Sequence, residues 1–202
     1  MNPAWAQRCS SWILAAGSLM AVFSGCNNTP QTSQLDLTVP VSTDDPSTAP
    51  SKSSLRVAWL AIEDQRLDAT SLGHIGNDAY VAKSILPWVN QQLCALRGTN
   101  FAEAEDPAKA DLVIKPTLLK LYIQNVNIAK SAVVVLRLEF LRQGKPSGQF
   151  TCRGQYAGMI WSGSDEEMAG AIQEAFADCL RNLTASLELN IQLQHMASSA
   201  SN

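Results

Sequence analysis

Asp64 and Arg66 stand two positions apart at the end of an apolar run, His74 sits between Gly73 and Gly76, and Glu166 directly precedes Glu167. These side chains invite an acid–base or ligand-binding reading. A carboxylate beside a guanidinium can hold a small polar ligand, yet at a strand end the same pair makes a local ion pair worth under about 1 kcal/mol. The local pair is the reading adopted. A catalytic base needs a nucleophile within reach, and His74 has only Ser71 close in sequence, so it reads as a loop histidine. Ser164 followed three residues later by Glu167 is a capping box, and carboxylates in a first helical turn suit the helix dipole. A paired-carboxylate acid/base role is the weaker alternative. No CxxC, HExxH, GxSxG or phosphate-loop pattern occurs. With 2 His and 5 Cys in 202 residues, candidates for metal or acid–base catalysis are few, and the expectation is a chain without catalytic residues, metal or cofactor.

Cys26 is the residue with the clearest chemistry. Arg8 gives the leader its only charge, Ser11 to Gly25 are apolar or small around Trp12, Ile13, Leu14, Leu19, Met20, Val22 and Phe23, and the run stops at Cys26. The run is shorter than the ~20 apolar residues that span a bilayer. Phe23-Ser24-Gly25-Cys26 resembles a bacterial lipobox, in which the cysteine is acylated and becomes the new N-terminus, although Phe23 departs from the usual Leu, Val or Ala. The alternative is a plain secretory peptide with an incidental cysteine. Asn27, in place of Asp, looks like an outer-membrane sorting signal. With two or three acyl chains the anchor is strong, since each buried methylene contributes about 0.8 kcal/mol. Removing residues 1–25 takes away Arg8 and no acid, so 14 basic residues face 18 acidic ones, a net of −4. Such a surface seeks neither anionic lipid nor nucleic acid.

Cys94, Cys152 and Cys179 remain after that cleavage, in an oxidising compartment. Cys152 shares the parity of Phe150 and Tyr156, and Cys179 lies on the stripe of Ile172, Phe176 and Leu183, so these two are the candidate disulfide. Buried free thiols are the favoured alternative, because a bridge requires α-carbons within about 7 Å.

The elements that must position these residues follow from composition and period. Residues 27–54 hold 11 Ser or Thr and 4 Pro in 28 positions and read as a tether spanning roughly 30 Å, in which only Leu35 to Val41 alternates like a short edge strand. From Leu55 the folded part begins. Val57 to Ile62 is a strand; Val81, Ile85, Val89, Leu93 and Leu96 mark one helix face, either kinked at Pro87 or starting near Ser84 with Pro87 in its first turn. Asp111 to Asn125 is a strand interrupted at Pro116. Ala132, Val134, Leu136, Leu138 and Phe140 face inward on the next, and Gln149 to Trp161 is a third after a turn with Gly144, Pro146 and Gly148. Met168, Ile172, Phe176, Cys179, Leu183 and Leu187 stripe the last helix. The order β-α-β-β-β-α predicts an α+β two-layer sandwich: a four-stranded mixed sheet with both helices on one face. The expected division is 1–25 leader, 26–54 acylated cysteine and tether, 55–190 domain, and 191–202 flexible tail.

Asp64-Gln65-Arg66, Leu96-Arg97-Gly98, Ala110 to Ile114 with Leu121-Tyr122, the strand pair and the capped last helix, all behind a lipobox, resemble the YajG-type family of small bacterial envelope lipoproteins over about residues 35–190. The resemblance implies an outer-membrane lipoprotein of unassigned biochemical role, on the periplasmic side and held by its N-terminal lipid; envelope families of the same shape bind protein partners and are not enzymes, so an envelope protein partner and no enzymatic activity are expected. The long tether and Pro87 depart from that pattern. A dispersed enzyme or small-ligand site is the alternative. A partner is expected on the uncovered sheet face or an edge strand, with Arg153 in the polar row Thr151, Arg153 and Gln155 as the facing residue.

Overall fold

The computed structural model describes residues 30–37, 53–96 and 101–199, with side chains described over 30–37, 55–94 and 102–187. Its centre is one long hairpin system: β7 (Leu112–Val126), β8 (Ala129–Arg142) and β9 (Lys145–Met159) pair antiparallel over almost their whole lengths. The inward row of β8, Ala132 to Phe140 at every second position, is buried throughout, as strict period two requires. On β7 the buried parity changes from Leu112, Ile114 and Leu118 to Leu121 and Ile123, and the ladder to β8 shifts register between Leu118 and Lys120. A bulge inserts one residue and moves the following side chains to the other face, so this shift keeps both apolar sets on the core side.

The other edge of β7 is lined end to end by three short parallel strands, β2 (Ser53–Trp59), β3 (Glu63–Asp64) and β4 (Ser71–Ile75). Beyond them lie β6 (Phe101–Glu103) on β2, β5 (Asp78–Val81) on β4, and β1 (Thr32–Gln34) parallel to β5. Gly73 has φ +101, and a Cβ there would lie 2.1 Å from the Ile123 carbonyl oxygen, so only glycine allows β4 this close to β7.

Among the described residues the sheet therefore has nine strands, and the expected four-stranded sheet with two helices on one face is incorrect. Polar Glu63-Asp64 and the glycine-containing segment around His74 lack the apolar alternation that marks a strand, but their backbones complete ladders beside β7 and β5. The folded part also starts before Leu55. Thr32–Gln34 is an edge strand and Leu35 and Leu37 are 3% and 5% exposed, within the stretch whose composition reads as tether. Two apolar residues are enough to fix that segment on the core. Residues 38–41 of the expected edge strand lie outside the described residues.

α1 (Ile85–Leu96) opens with the Trp88 N–H donating to the Ser84 carbonyl at 3.0 Å and carries Pro87 in its first turn, where the missing N–H has no helical partner to lose. α2 (Asp165–Ser199) runs through positions expected as a tail. Its stripe from Met168 to Leu187 is buried, and Phe176 meets Trp88 of α1 edge-to-face at 4.8 Å between centroids. α2 also closes the outer edge of β9: the Gln155 N–H donates to Asp178 Oδ2 at 3.0 Å, and Asn182 Nδ2 donates to the Arg153 carbonyl at 3.0 Å. An edge strand whose free backbone groups are taken by a helix is a poor template for further strands.

Candidate functional site

One end of the sheet gathers features that the fold does not need. Thr32, Ala79, His74, Gln124, Ser131 and Ala157 stand in register across β1, β5, β4, β7, β8 and β9. Just beyond this row lie the β4–β5 turn, the β7–β8 turn, the exit of β9 and the entry to β1. At the entry, Gln31 donates its N–H to Asp78 Oδ1 at 3.3 Å and accepts from the Ala79 N–H at 2.8 Å. Four of the five exposed large apolar side chains among the described residues are here: Val126, Ile128, Met159 and Trp161, the last 82% exposed. The fifth, Leu67, follows β3.

The loop carrying Trp161 is held from beneath. Glu167, on the first turn of α2, accepts the Trp161 N–H at 3.0 Å through Oε1, and the Ser162 N–H at 2.8 Å and Gly163 N–H at 2.9 Å through Oε2. Its Oε1 also takes the ammonium of Lys130, which is 3% exposed and donates as well to the Met159 carbonyl at 2.6 Å. Lys130 and these backbone donors hold the Glu167 carboxyl far below the ordinary carboxylate range. The Glu167 N–H is in turn capped by Ser164 Oγ at 3.3 Å. The expected cap is present, but the glutamate folds the preceding loop instead of reaching back to the Ser164 N–H.

The other sequence candidates are scattered. Asp64 and Arg66 form a nearly buried pair at 2.8 Å, and Arg66 also donates to the carbonyls of Ser71 and Ala69, which pins the loop from β3 to β4. Burial works to raise the Asp64 pKa, but the hydrogen bonds and charge of Arg66 overcome it and hold the group below its usual value. His74 is exposed on β4, and Glu166 is exposed beside the cap. Arg153 lies with Thr151 and Gln155 on the exposed row of β9, away from the apolar end. Cys26 lies outside the described residues. Cys152 and Cys179 are buried with their sulfurs 2.6 Å apart, while Cys94 is exposed. A separate groove of about 440 Å³ lies between Gln34–Leu37 and the start of α1, lined by Leu35, Leu37, Lys83, Pro87 and Trp88. Among the described residues no cluster of His, Cys, Asp or Glu is arranged to hold a metal, and no helix is long and apolar enough to cross a membrane.

The apolar end escaped sequence reasoning because residue type does not report exposure. One signal was available: a hairpin apex favours Asn, Asp or Gly, and Ile128 follows Asn127 in the β7–β8 turn.

No family model matches the chain, and no curated protein matches its sequence. Among solved structures, protein XCC0632 from Xanthomonas campestris, of the DUF330 family, is similar with a TM-score of 0.53 at 12% identity, covering 82% of this chain and 99% of that one. A putative neuraminyllactose-binding hemagglutinin homolog from Helicobacter pylori gives 0.51 at 12% identity, covering 81% and 100%. The fold is shared. A minor lipoprotein from Acinetobacter baumannii is a more distant neighbour, with a TM-score of 0.40 at 12% identity, covering 69% and 94%. At such identities the likeness concerns fold, not activity.

Proposed function

We propose that the chain is a lipid-anchored protein of the bacterial envelope, of the YajG type, acylated on Cys26 and held on the periplasmic face of the outer membrane, where it serves as a non-catalytic module for an envelope protein partner. The observation that carries this reading is the apolar and small-residue run that ends in Ser24-Gly25-Cys26, followed six residues later by the first strand at Thr32. Such a leader ends where a structured domain begins. The non-catalytic role is supported by how the acid–base candidates are employed: Asp64, Arg66 and Glu167 spend their polar atoms on fixing loops.

Cys26→Ser is expected to abolish acylation and remove the protein from the carbonate-washed outer membrane, leaving either a soluble form or an uncleaved precursor that keeps its apolar leader. Retention of the serine variant in the washed outer membrane at the wild-type level contradicts lipid anchoring.

A further inference from the structure

We infer that the end of the sheet bearing Val126, Ile128, Met159 and Trp161 rests on the bilayer surface, so that the domain stands on the membrane with its long strands pointing away from it. The inference rests on the anchoring proposed above and adds an orientation and a second, non-covalent membrane contact.

Three observations converge. The first is chain length. Gln31 comes only five positions after Cys26, and five residue steps reach at most about 18 Å, so acylation at Cys26 ties the entry of β1 close to the headgroups. A long leash does not intervene, because Thr32–Gln34 is already paired with β5 and Leu35 is buried. The second is register. The row from Thr32 to Ala157 places the entry of β1 at the level where β7 turns into β8 and β9 ends, some five strand spacings or about 24 Å across the sheet. A surface that holds the entry of β1 therefore faces these turns. The third is chemistry. Ile128, 74% exposed at a hairpin apex, and Trp161, 82% exposed on a loop fixed by Glu167 and Lys130, leave most of their surface to solvent. An exposed indole with aliphatic neighbours matches the interfacial zone of a bilayer, where tryptophan concentrates. The neighbouring exposed charges, Asp78, Asp165 and Glu166, are acidic, so the contact is apolar and does not depend on anionic lipid.

The molecule supplies its own control. Trp59 pairs with Ile114, twelve residues before Val126 on β7 and so about 40 Å from the apolar end, and Trp88 is buried. The purified acylated protein is reconstituted into vesicles of phosphatidylethanolamine and phosphatidylglycerol carrying bromine on their acyl chains, and tryptophan emission is compared with that in unbrominated vesicles. Wild type is expected to be quenched, Trp161→Phe to lose most of that quenching with an unchanged melting temperature, and added salt to leave it unaltered. Equal quenching of wild type and Trp161→Phe, or no quenching of either in protein that floats with the vesicles, overturns the membrane contact and leaves anchoring intact. In that case cross-linking through position 161 to a second copy or to another envelope protein identifies the true occupant. Protein that fails to float removes the anchoring reading and this inference with it. Quenching released by salt contradicts the apolar contact.

Discussion

Gly154→Ala is expected to lower the melting temperature by roughly 10 °C, the equivalent of about 3 kcal/mol for a chain of this size. Gly154 lies on β9 where α2 crosses it. A Cβ at this position would stand 2.0 Å from the Ala175 carbonyl oxygen, 2.3 Å from the Cys179 amide nitrogen and 2.7 Å from the Cys179 Cβ. None of these atoms belongs to the far end of a flexible side chain, so relief requires the helix to lift or slide. That movement disturbs Ile172, Phe176 and Leu183, each fully buried on the sheet side of α2, together with the bonds from Asp178 and Asn182 that close the β9 edge. Domains of this kind are stable by only about 5–15 kcal/mol, so a cost of this size is a large share of the total. A melting temperature within about 2 °C of wild type would show that helix and strand do not approach so closely.

The second large effect concerns Cys152 and Cys179, which are expected to be joined in the exported protein. Their sulfurs are 2.6 Å apart across the β9–α2 interface, about 0.5 Å beyond a disulfide bond. The neighbouring Cys152 thiol and burial both push the Cys179 thiol above the ordinary thiol range. One cysteine thiolate attacks the disulfide of an oxidising thiol–disulfide exchange protein, the second displaces that protein from the mixed disulfide, and the donor leaves as a dithiol, having taken up the two electrons. Closing a loop across 27 positions stabilises the fold by roughly 3.5 kcal/mol in the chain-entropy account. Alkylation under denaturing, non-reducing conditions followed by mass spectrometry is expected to label Cys94 alone. Labelling of all three shows that the pair stays reduced.

What the sequence disclosed depended on period and length. The even positions of Ala132–Phe140 and the α2 stripe from Met168 to Leu187 were legible because each rests on many residues repeating at one spacing; the Ser164 cap was legible from its three-residue spacing to Glu167, and a start of α1 near Ser84 was one of two open readings, the other, a helix running from Val81 and kinked at Pro87, being excluded by Val81 lying on β5. The remaining strands were not. Glu63–Asp64 has two residues, Ser71–Ile75 contains Gly73 and His74, and Thr32–Gln34 has no large apolar side chain, so none carries a period. Their strand character comes from neighbours distant in sequence, chiefly β7, which supplies ladder partners whatever the side chains are. On β7 itself the step from even to odd buried positions was written in the sequence as Leu118 followed by Leu121, but a bulge explains that step only once the partner strand is known. For the site, Glu167 was legible as a cap residue; its partner Lys130 lies 37 positions away and nothing local links the two. The exposure of Trp161 and Ile128 follows from which turns share one end of the sheet, and that is a property of topology.

The intact mass and N-terminal residue of the protein recovered from cell envelopes test the central claim most directly. The account predicts a chain that begins at Cys26, lacks residues 1–25, and is heavier than its amino-acid sequence by the glyceride and acyl groups on that cysteine. A chain that begins elsewhere, or one beginning at Cys26 with the mass of its amino acids alone, would contradict it.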